Sequence, residues 1–423
     1  MSLERPHAGR SRRLAGLVLA ALAVSGCQPR SAPVPEAVGA CDGSSSVPAS
    51  RITLPGRAFQ TLSTPDACWI FVSMHPRLDS GGSGLAVLKR TGDRISVQRI
   101  VPGPPSLPRF GVPGVFGLAL THDNRILIVA ALDRLSFFDL ARLTSGAANP
   151  LLGELRPDGA PPGYFNLAIT ANDKILFVTD HNEESITAID LAAARQASFA
   201  RIPVVGKIPV GYGPGSVALS RDDRYLYATT QIADPGWHWP NACRAPGAPA
   251  TATPNHHPRG AVHVIDVAQA IADPTHSVVM TTEAGCDPVR LALSPTADRA
   301  YVTARSDNAL LAFDTDRLRT DSSHALIGRV LTHTGPVGIA VLDEGRKVAV
   351  ANALRFTGVS ADSEVVSIID ATAMGSNRSL VIGNFASDGS VDIELTRDGR
   401  TLVTTHFERQ AITLFDVSKL PFR

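Results

Sequence analysis

The stretch LALTHDNRILIVAALDRLSFFD, from Leu118 to Asp139, carries the pattern that decides the fold. A short apolar strand leads through a turn containing Asp to a strand close to the YVT type, and an apolar strand ending in Asp follows. Close copies are LAITANDKILFVTDHNEESITAID from Leu167 and LALSPTADRAYVTARSDNALLAFD from Leu291. The pattern occurs seven times in the chain. Such a repeat predicts a stack of identical supersecondary units, and it indicates no substrate.

The period of the repeat, about 50 residues in its shortest copies, is typical of a four-stranded antiparallel blade with its turns. We name these strands a, b, c and d in chain order. The last copy has no strand d, whereas Arg51 to Leu54 lies directly before the first strand a, where every other strand d lies. Pairing of this amino-terminal strand with the last blade would remove two exposed sheet edges. The sequence therefore predicts an all-β fold, a closed seven-bladed β-propeller of four-stranded blades.

Composition agrees with one large globular domain. The 423 residues are 44% hydrophobic and 19% charged, with 35 Gly and 31 Pro, as in a protein rich in turns. The repeats fill nearly all of residues 51–423, which we expect to form a single propeller and a monomer. A formal net charge of +1 gives no electrostatic basis for binding nucleic acid, so we expect no such partner.

The first 26 residues have the features of a signal peptide. Basic residues up to Arg13 precede an apolar run from Leu14 to Val24, which is too short to span a bilayer. The following Ser25-Gly26-Cys27 resembles the lipobox of bacterial lipoproteins, in which the Cys is acylated and becomes the new amino terminus. We therefore expect Cys27 to anchor the chain in the membrane of the cell envelope, in the outer membrane if the host has one. The alternative is a free Cys in a plain signal peptide.

Residues 27–50 consist mainly of Pro, Ala, Ser and Gly, with almost no large apolar side chains. Such a segment cannot bury enough surface to offset the ordering of its backbone. We expect it to be a flexible tether between the lipid anchor and the propeller.

Two stretches carry a resemblance to a known family: LSRDDRYLYATT from Leu219 and LSPTADRAYVTA from Leu293. Over about residues 51 to 420 the chain resembles the YVTN-type, YncE-like seven-bladed propellers, which are WD-repeat-like and allied to the lactonase-type propellers. The Asn that follows YVT in the family is kept at Asn352, and other blades have other residues there. The resemblance therefore implies the scaffold, and it implies no catalytic set.

Recurring Asp residues are better explained by structure than by catalysis. An Asp ends strand c in six blades, where its carboxylate can accept hydrogen bonds from the backbone N–H groups of the next turn. These residues are Asp139, Asp190, Asp266, Asp314, Asp370 and Asp416. The Asp residues of the a–b turns are explained in the same way, among them Asp173 and Asp223.

Strand direction divides the loops between two faces, because strands a and c run one way and strands b and d the other. The b–c and d–a connections share one face, the b–c/d–a face. His75, His181 and His406 occupy the same repeat position there, so they can converge on a divalent metal or an anionic ligand. The alternative is that they are independent polar loop residues, since no spacing of a known metal motif is present. Further candidate ligand-binding residues are Trp237, His238, Trp239, Arg305 and His333.

The fourth blade has a long insertion between strands b and c, from about Ile232 to Gly260, on the same face. It contains Trp237-His238-Trp239, and exposed Trp beside His suits contact with a ligand or partner. The insertion is therefore a candidate lid or binding loop. The alternative is a lid that only covers apolar blade surface.

Four Cys residues remain after Cys27, an even number that an exported protein can oxidise. Cys243 in the insertion and Cys286 before the fifth blade share a face on neighbouring blades. Cys41 precedes the closing strand, at the face where Cys68 begins strand b of the first blade. We therefore predict the disulfides Cys41–Cys68 and Cys243–Cys286.

Three classes of function remain open. The first is a binding or scaffold module whose b–c/d–a face recognises a small molecule or an extracytoplasmic protein. The second, implied by the lactonase-type resemblance, is a hydrolase in which a divalent metal polarises a carbonyl and activates water. The third is a redox propeller that holds a quinone or haem-like cofactor through His residues. The sequence has no phosphate-loop, HExxH, GxSxG or CxxCH motif to decide between them.

Overall fold

The structure, a computed structural model, describes residues 41, 49–76, 82–92, 94–103, 114–159, 161–245, 248, 251–353, 365–375, 380–386 and 389–420. The predicted signal peptide 1–26, the predicted lipidation site Cys27 and most of the predicted tether 27–50 lie outside the described residues. No described helix is long and apolar enough to cross a membrane.

Seven four-stranded antiparallel sheets form the blades, which confirms the predicted fold. The first blade contains β2 (Arg57–Ser63), β3 (Trp69–His75), β4 (Gly84–Thr91) and β5 (Arg94–Pro102). The second contains β6 (Val115–Leu120), β7 (Ile126–Ala131), β8 (Arg134–Asp139) and β9 (Leu151–Leu155), with helix α1 (Leu140–Ser145). The third contains β10 (Tyr164–Ile169), β11 (Ile175–Asp180), β12 (Ser185–Asp190) and β13 (Val204–Pro209), with α2 (Leu191–Gln196).

The fourth blade contains β14 (Tyr212–Leu219), β15 (Tyr225–Ile232), β18 (Ala261–Asp266) and β19 (Val278–Glu283), with α3 (Val267–Ala272). Its insertion forms a separate two-stranded sheet of β16 (Asn241–Cys243) and β17 (His257–Pro258). The fifth blade contains β20 (Pro288–Leu293), β21 (Arg299–Ala304), β22 (Ala309–Asp314) and β23 (Leu326–Leu331), with α4 (Thr315–Thr320). The sixth contains β24 (Pro336–Leu342), β25 (Lys347–Asn352), β26 (Val365–Asp370) and β27 (Val381–Ala386). The seventh contains β28 (Ser390–Leu395), β29 (Thr401–His406), β30 (Ala411–Asp416) and β1 (Ala49–Thr53).

The blades form a closed ring. Strand a of each blade contacts strand a of both neighbouring blades, from β2 through β28 and back to β2. Strand β1 pairs antiparallel with β30, with Ala49 opposite Phe415 and Thr53 opposite Ala411. This pairing confirms that the amino-terminal strand completes the last blade. The strand begins at Ala49 rather than at the predicted Arg51, because β30 provides ladder partners as far as Phe415.

Apolar side chains from the facing sheets of neighbouring blades form the core. Between the second and third blades, Ile128 and Phe137 belong to one buried cluster with Leu176 and Val178. Burial of each such side chain stabilises the fold by about 1.5–3 kcal/mol relative to an exposed one. The core is therefore distributed around the ring between blades, and each blade depends on both neighbours.

Hydroxyl groups of strand b also join neighbouring blades. Ser73 Oγ donates to the Phe116 carbonyl oxygen at 2.6 Å, and Thr303 Oγ1 donates to that of Val337 at 2.8 Å. Thr405 Oγ1 donates to the Phe59 carbonyl oxygen at 3.0 Å across the closure of the ring. Each acceptor lies at a β-bulge of strand a in the next blade. The hydroxyls thus satisfy carbonyl groups that the bulge removes from the regular ladder.

All six Asp residues that end strand c accept a hydrogen bond from a backbone N–H in the turn that follows. The donors are Arg142, Ala193, Gln269, Arg317, Thr372 and Ser418. Two Asp residues of the a–b turns differ, because they accept from the neighbouring blade. Asp173 accepts from the His122 N–H at 2.8 Å, and Asp223 accepts from the Ala171 N–H at 2.6 Å.

Both predicted disulfides are present. Cys41 and Cys68 have Cα atoms 5.0 Å apart, and Cys243 and Cys286 have Cα atoms 5.6 Å apart, within the normal range for a disulfide. The first links the segment before the closing strand to the first blade. The second fixes the insertion of the fourth blade to the connection that enters the fifth.

Candidate ligand-binding site

Strand a of every blade has a break in register near its first residues. Such a bulge turns one side chain out of the regular alternation of the strand. The bulge residues of six blades line one cavity of about 230 Å³, the central cavity, and the seventh position is Gly215. The residues that line the cavity are Phe59, Phe116, Phe165, His181, Gln231, Val289, Arg290, Arg305, Val337 and Val391. His181 and Arg305 follow strands b, which places the cavity at the b–c/d–a face.

Three phenylalanines of the first three blades form the apolar wall of the cavity. The ring centroids of Phe59 and Phe116 are 5.2 Å apart, and those of Phe116 and Phe165 are 5.1 Å apart. The Phe59 ring is also 5.5 Å from that of Phe165, in an edge-to-face arrangement. Aromatic pairs at these distances stabilise each other beyond the burial of their area. The wall is therefore a rigid surface that suits a flat apolar group.

Arg290, on β20, brings a positive charge into this apolar surrounding. It is 7% exposed, and its guanidinium lies 5.1 Å from the Phe165 ring centroid and 5.6 Å from that of Phe59. Its Nη1 donates to the Val289 carbonyl oxygen at 3.2 Å, whereas its Nε has no hydrogen-bond partner among the described residues. Burial is the main cause that lowers the pKa of Arg290, and a guanidinium stays protonated at neutral pH even so.

Strand β28 carries two carboxylates, Asp392 near Arg290 and Glu394 beside the first blade. Asp392 Oδ1 is 3.9 Å from Arg290 Nε, and its Oδ2 accepts from the Thr61 N–H at 3.3 Å. Glu394 Oε1 accepts from the backbone N–H of Ser63 at 2.7 Å and from its hydroxyl at 2.8 Å. Burial raises the pKa of Asp392 to about 6 and that of Glu394 to about 7. Both side chains therefore join the last blade to the first, where the ring closes.

Arg305 supplies a second guanidinium to the cavity. It begins a single helical turn after β21, and its backbone N–H donates to the Asp287 carbonyl oxygen at 3.1 Å. Burial lowers the pKa of Arg305, and the Asp287 carboxylate acts against this effect. The next residue, Ser306, donates its N–H to the Cys286 carbonyl oxygen at 3.2 Å. The position of Arg305 is thus tied to the disulfide that holds the insertion.

His181 and Gln231 complete the polar part of the lining. His181 directly follows β11, and Gln231 lies near the end of β15, where the insertion begins. Burial lowers the pKa of His181, and the positive charge of Arg305 adds to this shift. The imidazole is therefore neutral at physiological pH.

The insertion begins beside the cavity at Gln231, and its Trp residues contact each other and the fourth blade. The rings of Trp237 and Trp239 are 5.3 Å apart, and Trp237 lies 5.7 Å from the buried His263. His238 is exposed. Neither these residues nor His333, which is partly buried, line the cavity.

The three histidines of the shared repeat position have different surroundings. His75 is 3% exposed and packs against Phe59 at 4.9 Å, Phe116 at 4.3 Å and Phe407 at 5.2 Å between ring centroids. His406 Nε2 lies 2.8 Å from Thr413 Oγ1 within its own blade. Among the described residues, no group of three or more His, Cys, Asp or Glu side chains is arranged to hold a metal ion. The structure thus places His181 at the central cavity and His75 and His406 in the packing of the blades.

Of the residues named from the sequence, His181 and Arg305 line the central cavity. Sequence reasoning missed Arg290 and the phenylalanine wall. The signal was present, because the three phenylalanines occupy equivalent places at the start of strand a, in AFQTL, VFGL and YFNL. A comparison of equivalent repeat positions, which singles out the histidines, also finds the wall of the cavity when it is applied to Phe.

The comparisons with known proteins show the fold and no more. No family model and no protein of curated function matches the chain. The β-propeller domain of Cps50 (Swd1) from Myceliophteria thermophila is similar, with 11% identity, a TM-score of 0.59, and coverage of 87% of this chain and 98% of that one. A chain of hydrazine synthase from Kuenenia stuttgartiensis shares 15% identity, with a TM-score of 0.58 and coverage of 87% and 97%. With the blade topology, these likenesses establish a seven-bladed β-propeller.

Proposed function

We propose that the protein is a binding module that takes a small molecule into the central cavity at the b–c/d–a face. The observation that carries this proposal is the cavity itself, in which a buried guanidinium packs against an aromatic wall and its Nε has no described hydrogen-bond partner. Its volume is about 230 Å³. That is below the range of about 300–1,000 Å³ for drug-sized ligands, so the ligand is a compact molecule.

The lining favours binding over catalysis. The described residues at the cavity are two Arg, one His, one Gln and apolar side chains, with no Ser, Cys or carboxylate among them. Covalent catalysis requires a nucleophile beside a base, and metal-assisted hydrolysis requires a ligand set for the ion. Convergent polar groups on an apolar wall are instead the usual features of a recognition site.

The binding proposal is tested by filling the cavity. Val337→Trp places an indole where a buried valine lines the space, so we expect probe molecules to lose at least about tenfold in affinity, or about 1.4 kcal/mol. The probes are aromatic and aliphatic carboxylates, amides and amines of up to about twelve heavy atoms, followed by ligand-observed NMR. Leu331→Trp, at a 67% exposed position of β23, is the matched control. Equal binding to both variants would contradict the proposal, as would a wild type that binds no probe.

We further propose that the chain is exported and anchored to the membrane by a lipid on Cys27. The signal-like segment before Cys27 and the two disulfides support this location, because disulfides persist in oxidising compartments. We expect the full chain to incorporate radiolabelled palmitate and to fractionate with membranes, and Cys27→Ser to lose both properties. Label that is retained by the Ser variant would show that Cys27 is not the anchor.

A further inference from the structure

We infer that the ligand of the central cavity is a small organic anion, a carboxylate on a flat apolar body, with its charged group held by Arg290 and Arg305. The inference rests on the proposed function and deepens it, because it assigns the chemical class of the ligand. Three observations carry it: the incomplete pairing of Arg290, the second cation at the same cavity, and the aromatic wall against which Arg290 packs.

The first observation is the incomplete pairing of Arg290. Arg290 is only 7% exposed, and burial of a charge is unfavourable unless the charge is paired and hydrogen-bonded. The nearest carboxylate oxygen, Asp392 Oδ1, lies 3.9 Å from Nε, beyond hydrogen-bond distance. The other oxygen of Asp392 already accepts from the Thr61 N–H. Arg290 thus has donor capacity that no described residue fills at Nε, and an anion in the cavity would fill it.

The second observation is the proximity of a second cation. Arg305 lines the same cavity, and its charge contributes to the lowered pKa of Arg290, so the two guanidiniums repel each other. Asp287, the carboxylate that faces Arg305, also accepts from the Ser306 hydroxyl and lies 3.8 Å from His257 Nε2. A ligand carboxylate between the two guanidiniums would relieve their repulsion and accept from both, in the forked geometry that Arg favours.

The third observation is the apolar remainder of the lining. The three phenylalanines and the buried Val289, Val337 and Val391 surround the space beside the guanidiniums. A fully hydrated inorganic anion gains nothing from such walls, whereas an aryl or short alkyl group is stabilised by burying its apolar surface against them. The same two cations repel an ammonium group, so the site selects against amines.

The inference is tested with benzoate as the probe and with benzamide and benzylamine as its neutral and cationic counterparts. We expect benzoate to bind the purified full-length protein at least about tenfold more tightly than benzamide, and benzylamine not to bind, as measured by ligand-observed NMR and calorimetry. Arg290→Met should weaken benzoate at least about tenfold and leave benzamide within about twofold. Arg156→Met, which removes an exposed guanidinium outside the cavity, should change neither affinity.

Arg290 is buried, so a melting curve has to show that Arg290→Met folds. Arg305→Gln is a second variant that tests the same inference if Arg290→Met does not fold. It should also weaken benzoate and spare benzamide. If wild type binds benzamide as tightly as benzoate and Val337→Trp weakens both, the ligand is not an anion and the binding module stands. Preference for benzylamine would overturn the inference in the same way. Absence of binding by every probe would overturn both the inference and the proposed function.

Discussion

Gly117→Ala, which adds a single methyl group, is expected to lower the free energy of unfolding by about 3 kcal/mol or more. Gly117 lies in the bulge of β6, where a Cβ would overlap the carbonyl oxygen of Phe165 and lie 3.3 Å from the Asn166 Cα. Both atoms belong to the backbone of the next blade, which cannot move without opening the ring. The measurement is urea unfolding of wild type and variant, followed by circular dichroism.

The matched control is Gly328→Ala. Gly328 lies in β23, at the outer edge of its blade, and a Cβ there would lie 3.1 Å from the Met374 sulfur, the far end of a flexible side chain. We expect a change within about 1 kcal/mol, because the sulfur can shift to another rotamer. If both variants lose a similar free energy of unfolding, the close approach of neighbouring strands a is not the reason that Gly117→Ala destabilises the protein.

Glu394→Gln is expected to stabilise the protein by about 2 kcal/mol at pH 8 and to have little effect at pH 5. Burial raises the pKa of Glu394 from 4.5 to about 7, so the folded state binds the proton more tightly than the unfolded chain does. The stability that this proton provides is complete below pH 4.5, and it is lost as the pH rises through about 7. Gln keeps the acceptor for Ser63 and carries no charge, so the variant loses this dependence.

The comparison is made between variant and wild type because other groups also titrate. Asp180 and Asp392 have raised pKa values of about 7 and about 6 and act in the same direction as Glu394. Burial lowers the pKa of His181 and of His263, and these two residues favour unfolding below pH 6.5. Melting temperatures of both proteins from pH 5 to pH 8 provide the test. Parallel curves would contradict the assignment of the raised pKa to Glu394.

The scaffold could be predicted because each of its features is local and repeated. A turn containing Asp between two apolar strands recurs in the blades. The last repeat lacks strand d, which indicates that the segment before the first strand a completes that blade. The disulfides followed from the division of loops between faces, since Cys243 and Cys286 had to meet on one side of neighbouring blades. The six Asp caps at the ends of strands c were predictable for the same reason, because their hydrogen bonds run to the next turn.

The site was less predictable because it depends on departures from the regular strand. Alternation of side chains predicts which residues face the neighbouring blades, and a bulge overrides it at Phe59, Phe116 and Phe165. An Arg occurs at this repeat position in one blade only, so comparison of the repeats does not single it out. Arg290 is surrounded by residues of other blades that are distant in the sequence, among them Phe59, Phe165 and Asp392. The shared repeat position did not distinguish the three histidines, because His181 lines the cavity whereas His75 and His406 are buried in the packing of the blades.

The pairing of β1 with β30 has a consequence for biosynthesis. The ribosome makes Ala49–Thr53 before any blade exists, and the partner strand Ala411–Asp416 leaves it only after all the others. Until then the backbone N–H and C=O groups along the inner edge of β1 have no native partner, in a segment that β-sheet edges of other chains can also capture. Completion of the ring therefore waits until the last blade has been made, because it pairs two strands that lie far apart in the sequence, and contacts of such long range form slowly.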